Sequence, residues 1–207
     1  MLITVEGIDG AGKTTHARML ADWLRQRGHD VVLTREPGGS KLGERLRPLI
    51  LDGGATEVTA AAELFLYAAD RAQHVEEVIR PALGEGQTVV CERYADSTTA
   101  YQGYGRELDL EFVRRLNEVA TGGVEPDLTI LLDLAPDAAR QRMAHTPDRL
   151  EREEPAFHHR IVEGYRELAR AHGERIKVVD AAPPRDEVFQ GVAQVVEAFL
   201  SERRPDP

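Results

Sequence analysis

A glycine-rich segment near the amino terminus contains the residue types that bind a nucleoside triphosphate. Gly7, Gly12, Lys13 and Thr14 match the P-loop pattern G-x-x-x-x-G-K-[ST]. In this pattern backbone N–H groups surround phosphate oxygens, the lysine reaches the β- and γ-phosphates, and the hydroxyl binds Mg²⁺. A flexible glycine turn is the alternative, but the match lies between a β-rich run and a helical pattern, as the mechanism requires. The predicted triphosphate site consists of Gly7, Ile8, Asp9, Gly10, Ala11, Gly12, Lys13, Thr14 and Thr15.

Charged residues also follow two other β-rich runs. Arg35 and Glu36 come after the second run, and Glu92 and Arg93 come after the third. Because ligands of parallel sheets bind beyond the carboxyl ends of the strands, we expect these residues to lie near the P-loop. Arginine offers planar, multi-donor contacts to phosphate, and a carboxylate at this place can hold a magnesium-bound water. The alternatives are that the first pair is a surface ion pair and the second a structural one.

Aromatic residues in two further segments have the spacing of a surface that binds a nucleobase. Tyr67 and Arg71 are four residues apart in a helical pattern and therefore share a face. The ring can stack on a base while the guanidinium donates to its carbonyl; a core tyrosine beside a surface arginine is the alternative. Residues 95–106 supply more hydrogen-bonding groups, although Tyr101 and Tyr104 can equally pack a loop.

These segments are positioned by five short, apolar, β-rich runs that alternate with helical patterns. Buried parallel strands are continuous apolar runs, and the lengths between them suit crossover helices. The predicted fold class is therefore α/β: a doubly wound five-stranded parallel sheet with helices on both faces, in a single domain over residues 1–207. The predicted strands cover 2–6, 31–34, 88–91, 128–132 and 176–179. The main predicted helices cover 41–51, 57–79, 108–119, 157–172 and 186–200.

The composition argues against several classes of function. The 207 residues carry a formal net charge of −10 at pH 7, so long-range attraction to nucleic acid or to an anionic membrane is not expected. Cys91 is the single cysteine, which excludes an intramolecular disulfide and a cysteine-rich zinc site. We recognise no signal peptide and no apolar run long enough to span a bilayer. A cytoplasmic protein is expected, with neither nucleic acid nor membrane as a partner.

Taken together, these motifs resemble those of bacterial thymidylate kinases. The resemblance covers nearly the whole chain, and the Arg-Glu-Pro-Gly-Gly segment beside a P-loop is highly specific. It implies a nucleoside-monophosphate-kinase fold, ATP and dTMP as substrates, Mg²⁺ as cofactor and a homodimer. The implied reaction is transfer of the γ-phosphoryl group of ATP to dTMP, which gives dTDP for dTTP biosynthesis. The motifs that carry the resemblance are residues 7–15, 34–39, the pair 67 and 71, 93–94, 100–103 and 126–129.

The resemblance also implies roles for individual residues. Arg35 and Arg93 hold the phosphate of dTMP. Tyr67 stacks on thymine, and Arg71 binds its exocyclic oxygen. Tyr101 lies near C2′ of the ribose and disfavours a 2′-hydroxyl group. The full predicted dTMP site is Asp9, Arg35, Glu36, Tyr67, Arg71, Arg93, Ser97, Thr98, Tyr101 and Gln102.

Two positions within the P-loop add information about the reaction. Asp9 resembles the family carboxylate that faces the 3′-hydroxyl group of the dTMP sugar. Gly10 occupies the position at which eukaryote-like members carry an arginine, so a compensating arginine must come from the lid. The resemblance assigns this role to Arg149, in a lid over residues 142–155 whose charge pattern by itself favours a solvated loop. The predicted catalytic residues are Lys13, Arg93, Arg149 and Asp9.

The carboxylate after the third strand departs from the family pattern. The family usually has Asp-Arg at this place, whereas this chain has Glu92 followed by Arg93. A glutamate is one methylene longer, and it can still contact Mg²⁺ through a water molecule. The predicted metal-binding residues are Thr14 and Glu92.

Two other classes of function compete with this interpretation. A GTP-dependent switch protein usually carries the guanine-binding motif Asn-Lys-x-Asp, which this sequence lacks. A P-loop kinase or ligase for another small molecule, such as a deoxynucleoside, is compatible with the P-loop taken alone. The Arg-Glu-Pro-Gly-Gly segment argues against it, because this segment fits an acceptor that is already phosphorylated.

Overall fold

The computed structural model describes residues 1–52, 58–143 and 146–203. Its centre is a sheet of five parallel strands in the order β2-β3-β1-β4-β5. This arrangement confirms the doubly wound five-stranded parallel sheet that the sequence predicts. The strands are β1 Leu2–Glu6, β2 Val31–Arg35, β3 Thr88–Glu92, β4 Leu128–Asp133 and β5 Ile176–Asp180.

Helices connect the strands, and two of these connections contain a π-helical turn. The helices are α1 Lys13–Arg25, α2 Lys41–Leu51, α3 Ala60–His74, α4 Arg80–Gly84, α5 Ala95–Thr98, α6 Leu110–Thr121, α7 Pro136–Arg142, α8 Pro155–Ala171 and α9 Arg185–Glu202. The π-helical turns are Val75–Ile79, between α3 and α4, and Thr99–Gly105, which follows α5. Within the described residues, no helix is long and apolar enough to cross a membrane.

The central strand β1 is buried along its whole length and contributes to two separate cores. Ile3 and Val5 belong to one core, together with Leu20 of α1 and Val192 of α9. Leu2 belongs to another, with residues of β3 and of the first π-helical turn. Alternate residues of a strand point to opposite faces, so a strand covered on both faces is apolar along most of its length.

The carboxyl ends of β1 and β3 lie side by side, and the chain leaves them in opposite directions. β1 leads to β2 at one edge of the sheet, whereas β3 leads to β4 on the other side of β1. Such a point opens a crevice in which ligands of doubly wound sheets bind. The backbone N–H of Arg93, just after β3, donates to the carbonyl of Val5 at 3.0 Å. The topology thus places Arg93 beside the P-loop.

The helix that begins with α3 continues further than the sequence predicts. The prediction ended at residue 79, whereas α4 extends to Gly84 and contains Pro81. A proline ring clashes with the carbonyl four residues earlier in a regular helix, and the wider π-helical turn gives that carbonyl room. Glu57, the predicted first residue of this helix, lies outside the described residues, as do residues 144–145 of the predicted lid.

The segment after β3 is helical, although the sequence predicts no helix there. Its serine, threonine and glycine residues have low helix propensity, so tertiary packing stabilises the helical form. Packing against α8 is close: a Cβ added at Gly105 would lie 2.8 Å from Cε2 of Phe157. The helical form turns Ser97 and Tyr101, four residues apart, toward one side, where both line the cavity described below.

Candidate active site

The P-loop curves around the amino-terminal end of α1. Gly7 has a φ of 139°, and a Cβ at this position would lie 2.6 Å from the carbonyl oxygen of Leu132. Lys13 folds back over the loop: its Nζ donates to the carbonyl of Ile8 at 2.8 Å and contacts Oδ1 of Asp9 at 3.3 Å. Free N–H groups at the helix terminus and the lysine charge make this loop a site for an anion.

A cavity of about 410 Å³ opens beside the P-loop and has the size of a small-molecule site. Its walls also include the segment after β2, parts of α2 and α3, the helical segment after β3, and the lid. The sequence-predicted residues that line it are Asp9, Gly10, Gly12, Lys13, Thr14, Thr15, Arg35, Glu36, Tyr67, Glu92, Arg93, Ser97, Thr98, Tyr101 and Gln102. The predicted residues that do not line it are Gly7, Ile8, Ala11, Arg71 and Arg149.

The guanidinium of Arg93 lies at the centre of this site. Its Nη1 donates to Oγ of Ser97 at 3.0 Å and to the carbonyl of Gly7 at 3.2 Å. Its Nη2 donates to the hydroxyl of Tyr101 at 2.9 Å and forms an ion pair with Asp9. The alternative that Arg93 forms a structural ion pair with Glu92 is therefore wrong: Arg93 pairs with Asp9 of the P-loop. Arg93 has a φ of 64°, a backbone conformation that is uncommon outside glycine and concentrates at functional sites.

Asp9 remains ionised in this environment. Burial acts to raise the pKa of its carboxyl, but the charges of Arg93 and Lys13 outweigh this effect and hold the pKa well below its usual value. The hydroxyl of Tyr101 also donates to Oδ2 of Asp9 at 2.7 Å. The P-loop thus presents a fixed negative charge to the cavity, beside the positive charge of Arg93.

Thr14 and Glu92, the predicted metal-binding residues, lie next to each other. The Thr14 hydroxyl donates to Oε1 of Glu92 at 2.7 Å. A hydroxyl and a carboxylate are oxygen ligands of the kind that Mg²⁺ prefers, and Mg²⁺ usually combines one or two such groups with phosphate oxygens and water. In the described part of the chain, no group of three or more His, Cys, Asp or Glu side chains forms a metal site by itself.

A second arginine joins Arg35 at the cavity wall, and the sequence argument missed it. Arg47 of α2 lines the cavity and donates through Nη1 to the carbonyl of Pro37 at 2.7 Å. Burial and the nearby charge of Arg35 lower the pKa of Arg47. Adjacent guanidinium groups repel each other, so an anion between them would be stabilised. Arg47 was missed because only residues directly after strands were considered, and it lies in the middle of a helix.

Glu36 points into the protein instead of pairing with Arg35 at the surface. Its Oε2 accepts from Nε of Arg71 at 2.8 Å, and its Oε1 contacts Nδ1 of His74 at 2.9 Å. Both partners belong to α3 and are buried. Glu36 therefore joins the loop after β2, which carries Arg35, to the helix that carries Tyr67.

Arg71 is a buried residue behind the cavity wall, not a surface arginine beside Tyr67. Its Nη1 donates to Thr98 and Asn117, both at 2.9 Å, and its Nη2 donates to the carbonyl of Tyr94 at 3.0 Å. With the bond from Nε, four of its five N–H groups have partners. Arg71 does not line the cavity, whereas Tyr67 does.

Comparison with known proteins identifies the family. The model of the thymidylate kinase family matches residues 5–192. The thymidylate kinase of Nitratidesulfovibrio vulgaris strain DP4 is 53% identical over 211 residues, which cover 98% of this chain and 94% of that protein. The chain belongs to the thymidylate kinase family.

Other members of the thymidylate kinase family agree in sequence and in fold. The thymidylate kinase of Desulfovibrio desulfuricans is 51% identical over 212 residues, which cover 98% of each protein. The crystal structure of thymidylate kinase from Ehrlichia chaffeensis matches with a TM-score of 0.80 at 32% identity, over 95% of this chain and 98% of that one. The parallel sheet and its helices are therefore the P-loop nucleoside-monophosphate-kinase fold of this family.

Gly10 gives a structural reason for the absence of a P-loop arginine in this member of the thymidylate kinase family. Its φ is 85°, and a Cβ at this position would lie 2.3 Å from the carbonyl oxygen of Ala139 in α7. A side chain here requires α7 to move, because a backbone carbonyl cannot yield as a flexible side chain can. The loop in this conformation therefore accepts only glycine at residue 10.

Arg149, the lid arginine, lies away from the P-loop in this structure. Its Nη1 donates to Oε2 of Glu63 at 2.5 Å, and its Nη2 donates to the carbonyl of Ile50 at 2.9 Å. Glu63 is fully buried and was not singled out from the sequence. The structure therefore does not bring Arg149 together with Lys13 and Arg93.

Proposed function

We propose how the residues of this enzyme carry out the reaction of its family. As a thymidylate kinase, the chain transfers the γ-phosphoryl group of ATP to dTMP and supplies dTDP for dTTP synthesis. The observation that carries the proposal is that one cavity joins the P-loop to a wall formed by Arg35, Arg47 and Arg93. The P-loop suits the triphosphate of the donor, and the arginine wall suits the phosphate of the acceptor.

Phosphoryl transfer requires that two phosphates be aligned and their repulsion screened. Lys13 and the P-loop N–H groups hold the donor phosphates. Arg93 contacts the P-loop and faces the cavity, a position that supports a role in bridging donor and acceptor phosphates. Arg35 and Arg47 complete the arginine wall that holds the acceptor phosphate. No general base is needed, because the attacking phosphate oxygen of dTMP is already anionic.

The nucleoside of dTMP is proposed to occupy the part of the cavity between α3 and the helical segment after β3. Tyr67 stacks on thymine, and the one available N–H of Arg71 reaches the exocyclic oxygen. Asp9 accepts a hydrogen bond from the 3′-hydroxyl group, and Tyr101, fixed by its bond to Asp9, fills the space beside C2′. The remaining proposed base-pocket residues are Glu36, Ser97, Thr98 and Gln102.

Mg²⁺ is the proposed metal cofactor. Thr14 and Glu92 would hold it, directly or through water, and their 2.7 Å contact supports a shared site. When bound, the ion neutralises charge on the donor phosphates. The hydrogen bond between the two side chains orients the proton of the Thr14 hydroxyl toward the carboxylate of Glu92.

We further propose that lid closure moves Arg149 from Glu63 to the transferring phosphoryl group. Glu63 also accepts from Gln102 at 2.8 Å and from Nη2 of Arg106 at 3.0 Å. Gln102 and Arg106 belong to the segment after β3, outside the lid, so the buried carboxylate would keep partners when Arg149 leaves. Because Glu63 keeps these two partners, breaking its ion pair with Arg149 costs less free energy.

A coupled assay of ADP release tests the assignment of the acceptor. With ATP present, dTMP should support turnover, whereas thymidine should not, because it lacks the phosphate that the arginine wall binds. A parallel measurement with dUMP reports how much the 5-methyl group contributes. Turnover that requires thymidine, or no turnover with either compound, would contradict the proposed function.

Glu92→Asp tests the proposed metal site. Shortening the side chain by one methylene should move the carboxylate away from Thr14 and raise the Mg²⁺ concentration for half-maximal activity by about tenfold. The measurement is a magnesium titration of initial rates at saturating ATP and dTMP. Glu85→Asp, at an exposed position after α4, is the matched control and should leave the titration unchanged. The same magnesium dependence in both variants would argue against this site.

A homodimer is proposed, and an exposed apolar face on α2, α3 and α6 supports it. Leu49, Phe65, Phe112 and Val119 are exposed on these helices, Val119 to 78%. The rings of Phe65 and Phe112 meet edge to face with centroids 6.3 Å apart. Contiguous exposed apolar side chains are costly in water, and a second copy of the chain would cover them.

Phe65→Asp should convert the proposed dimer to a monomer, because it places a charge in the apolar face. Light scattering after size-exclusion chromatography should then give the 23.0 kDa mass of one chain instead of twice that value. Val178→Asp, at a residue of β5 that is 52% exposed, is the control and should keep the mass of the parent. A parent protein that elutes as a monomer would refute the dimer.

Two further proposals rest on the sequence alone. We propose a cytoplasmic location, since the sequence resembles bacterial nucleotide-metabolising enzymes. We also propose that residues 1–207 form a single domain. Both stay predictions.

A further inference from the structure

Glu6 is a buried carboxylate next to the site, and no role has been given to it above. It is the last residue of β1, directly before the P-loop, and its side chain is 0% exposed. Its Oε1 accepts from the backbone N–H of Tyr94 at 2.7 Å. Its Oε2 accepts from Oγ of Ser97 at 2.5 Å and from the hydroxyl of Tyr165 at 3.0 Å.

The two hydroxyls that contact Glu6 also contact the guanidinium of Arg93. Nη1 of Arg93 donates to Ser97 at 3.0 Å and to Tyr165 at 3.4 Å. When Glu6 is ionised its carboxylate only accepts, so Ser97 gives its single proton to Glu6 at the 2.5 Å contact. Tyr165 gives its proton to Glu6 or to Ser97, which lies 2.8 Å away. In either case both oxygens keep lone pairs for Arg93.

Glu6 also contacts the backbone beside Arg93. The φ of 64° at Arg93 is unfavourable for a residue other than glycine, so neighbouring interactions must maintain it. The bond from the N–H of Tyr94 to Glu6 fixes the peptide group that immediately follows Arg93. Glu6 therefore acts on both the backbone and the side chain of this arginine.

We propose that Glu6 is a positioning residue for the reaction: it orients the hydroxyls of Ser97 and Tyr165 so that they hold Arg93 toward the acceptor phosphate. This inference rests on the proposed role of Arg93 in phosphate binding. Tyr165 lies in α8, the helix that begins at the last residue of the lid, and contacts Arg93 directly. Burial, with the charge of Asp96, raises the pKa of Glu6 to about 7, as expected for a carboxylate retained in a poorly solvated place.

The alternative is that Glu6 merely stabilises the fold, and Asp96 provides a matched comparison. Asp96 is also a buried carboxylate in the same region, but its partners are Arg175, at 2.6 Å and 2.9 Å, and Thr129. None of these bonds reaches Arg93. Removing the charge of Asp96 also lowers the pKa of Glu6 and so favours its ionised, accepting form. Asp96→Asn should therefore lower the melting temperature and leave dTMP binding within about twofold of the parent.

Glu6→Gln is the decisive variant, because only the oxygen of an amide accepts hydrogen bonds. Its nitrogen would therefore face either the backbone N–H or the two hydroxyls without accepting from them. We expect the Kd for dTMP, measured by calorimetry, to rise by about tenfold, while the Kd for ATP stays within about twofold. Tyr165→Phe should weaken dTMP binding by about threefold. The double variant should be little worse than Glu6→Gln, since both changes remove the same support.

Three results would overturn the inference. These are a normal dTMP Kd in Glu6→Gln, equal weakening of ATP and dTMP binding, or an equal dTMP defect in Asp96→Asn. If Glu6→Gln does not fold, Tyr165→Phe decides, and a normal dTMP Kd in that variant refutes the proposal. Arg93→Met separates this inference from the proposed function: normal dTMP binding there contradicts the role of Arg93. Weaker dTMP binding in Arg93→Met, together with normal dTMP binding in Glu6→Gln, would contradict only the role of Glu6.

Discussion

Arg93→Met is expected to lower kcat/KM for dTMP by a factor of about 10³ or more, the scale on which arginines act in phosphoryl transfer. Methionine keeps an unbranched apolar stem and removes the guanidinium, with its charge and all its hydrogen-bond donors. Arg93 now bonds to Ser97, Tyr101 and the P-loop carbonyl of Gly7, besides its ion pair with Asp9. Without it, Lys13 alone of these two cations would compensate the negative charge of Asp9 that faces the anionic substrates.

Steady-state kinetics with dTMP varied at saturating ATP measure this effect. Arg27→Met is the matched control, since Arg27 stacks on Trp23 at 3.6 Å in an exposed part of the chain and should tolerate the change. A loss of less than about tenfold in the Arg93 variant would show that other groups bind the acceptor phosphate. It would also remove the basis for the role of Glu6.

Arg149→Ala is expected to lower kcat by about 10³ while the Kd for dTMP changes by no more than about threefold. The reason is that Arg149 contacts Glu63 and the carbonyl of Ile50 in the present conformation, not the cavity. Its contact with the phosphoryl group would form only after lid closure, so the ground state loses little when the side chain is removed.

Rapid-quench kinetics combined with dTMP calorimetry separate the two quantities. Arg152→Ala provides the control within the lid, because Arg152 is exposed and its Nη1 donates to the carbonyl of Pro147 at 3.2 Å, within the lid itself. Arg142→Ala tests a competing assignment, since Arg142 lines the cavity while its Nη1 donates to the carbonyl of Ala181 at 2.7 Å. Unchanged kcat in Arg149→Ala, with a large loss in Arg142→Ala, would transfer the catalytic role to Arg142.

Much of the candidate site was predictable because its residues follow strands. The P-loop, Arg35 and Arg93 each follow a β-rich run of the sequence, and parallel strands bring such positions to one edge of a sheet. The same argument did not find Arg47, which reaches the cavity from the middle of α2. Glu6 was not found either, because a carboxylate inside a predicted strand gives no local signal of the groups it will contact.

The family comparison made residue roles predictable, but not their present environments. Arg71 was expected at the base pocket, yet most of its N–H groups bind protein atoms from three different segments. Arg149 was expected at the transferring phosphate, yet it is paired with Glu63. In both cases the partner lies tens of residues away in sequence, so no local sequence pattern predicts it.

The sequence by itself determined the order of elements, the P-loop and the family of this protein. These properties depend on short-range features: apolar runs, glycine positions and motifs of a few residues. Tertiary structure alone decided which carboxylate accompanies each arginine: Asp9 with Arg93, Glu36 with Arg71, and Glu63 with Arg149. The physical reason is that buried charges must be paired, and the available partner depends on which distant segments the fold brings together.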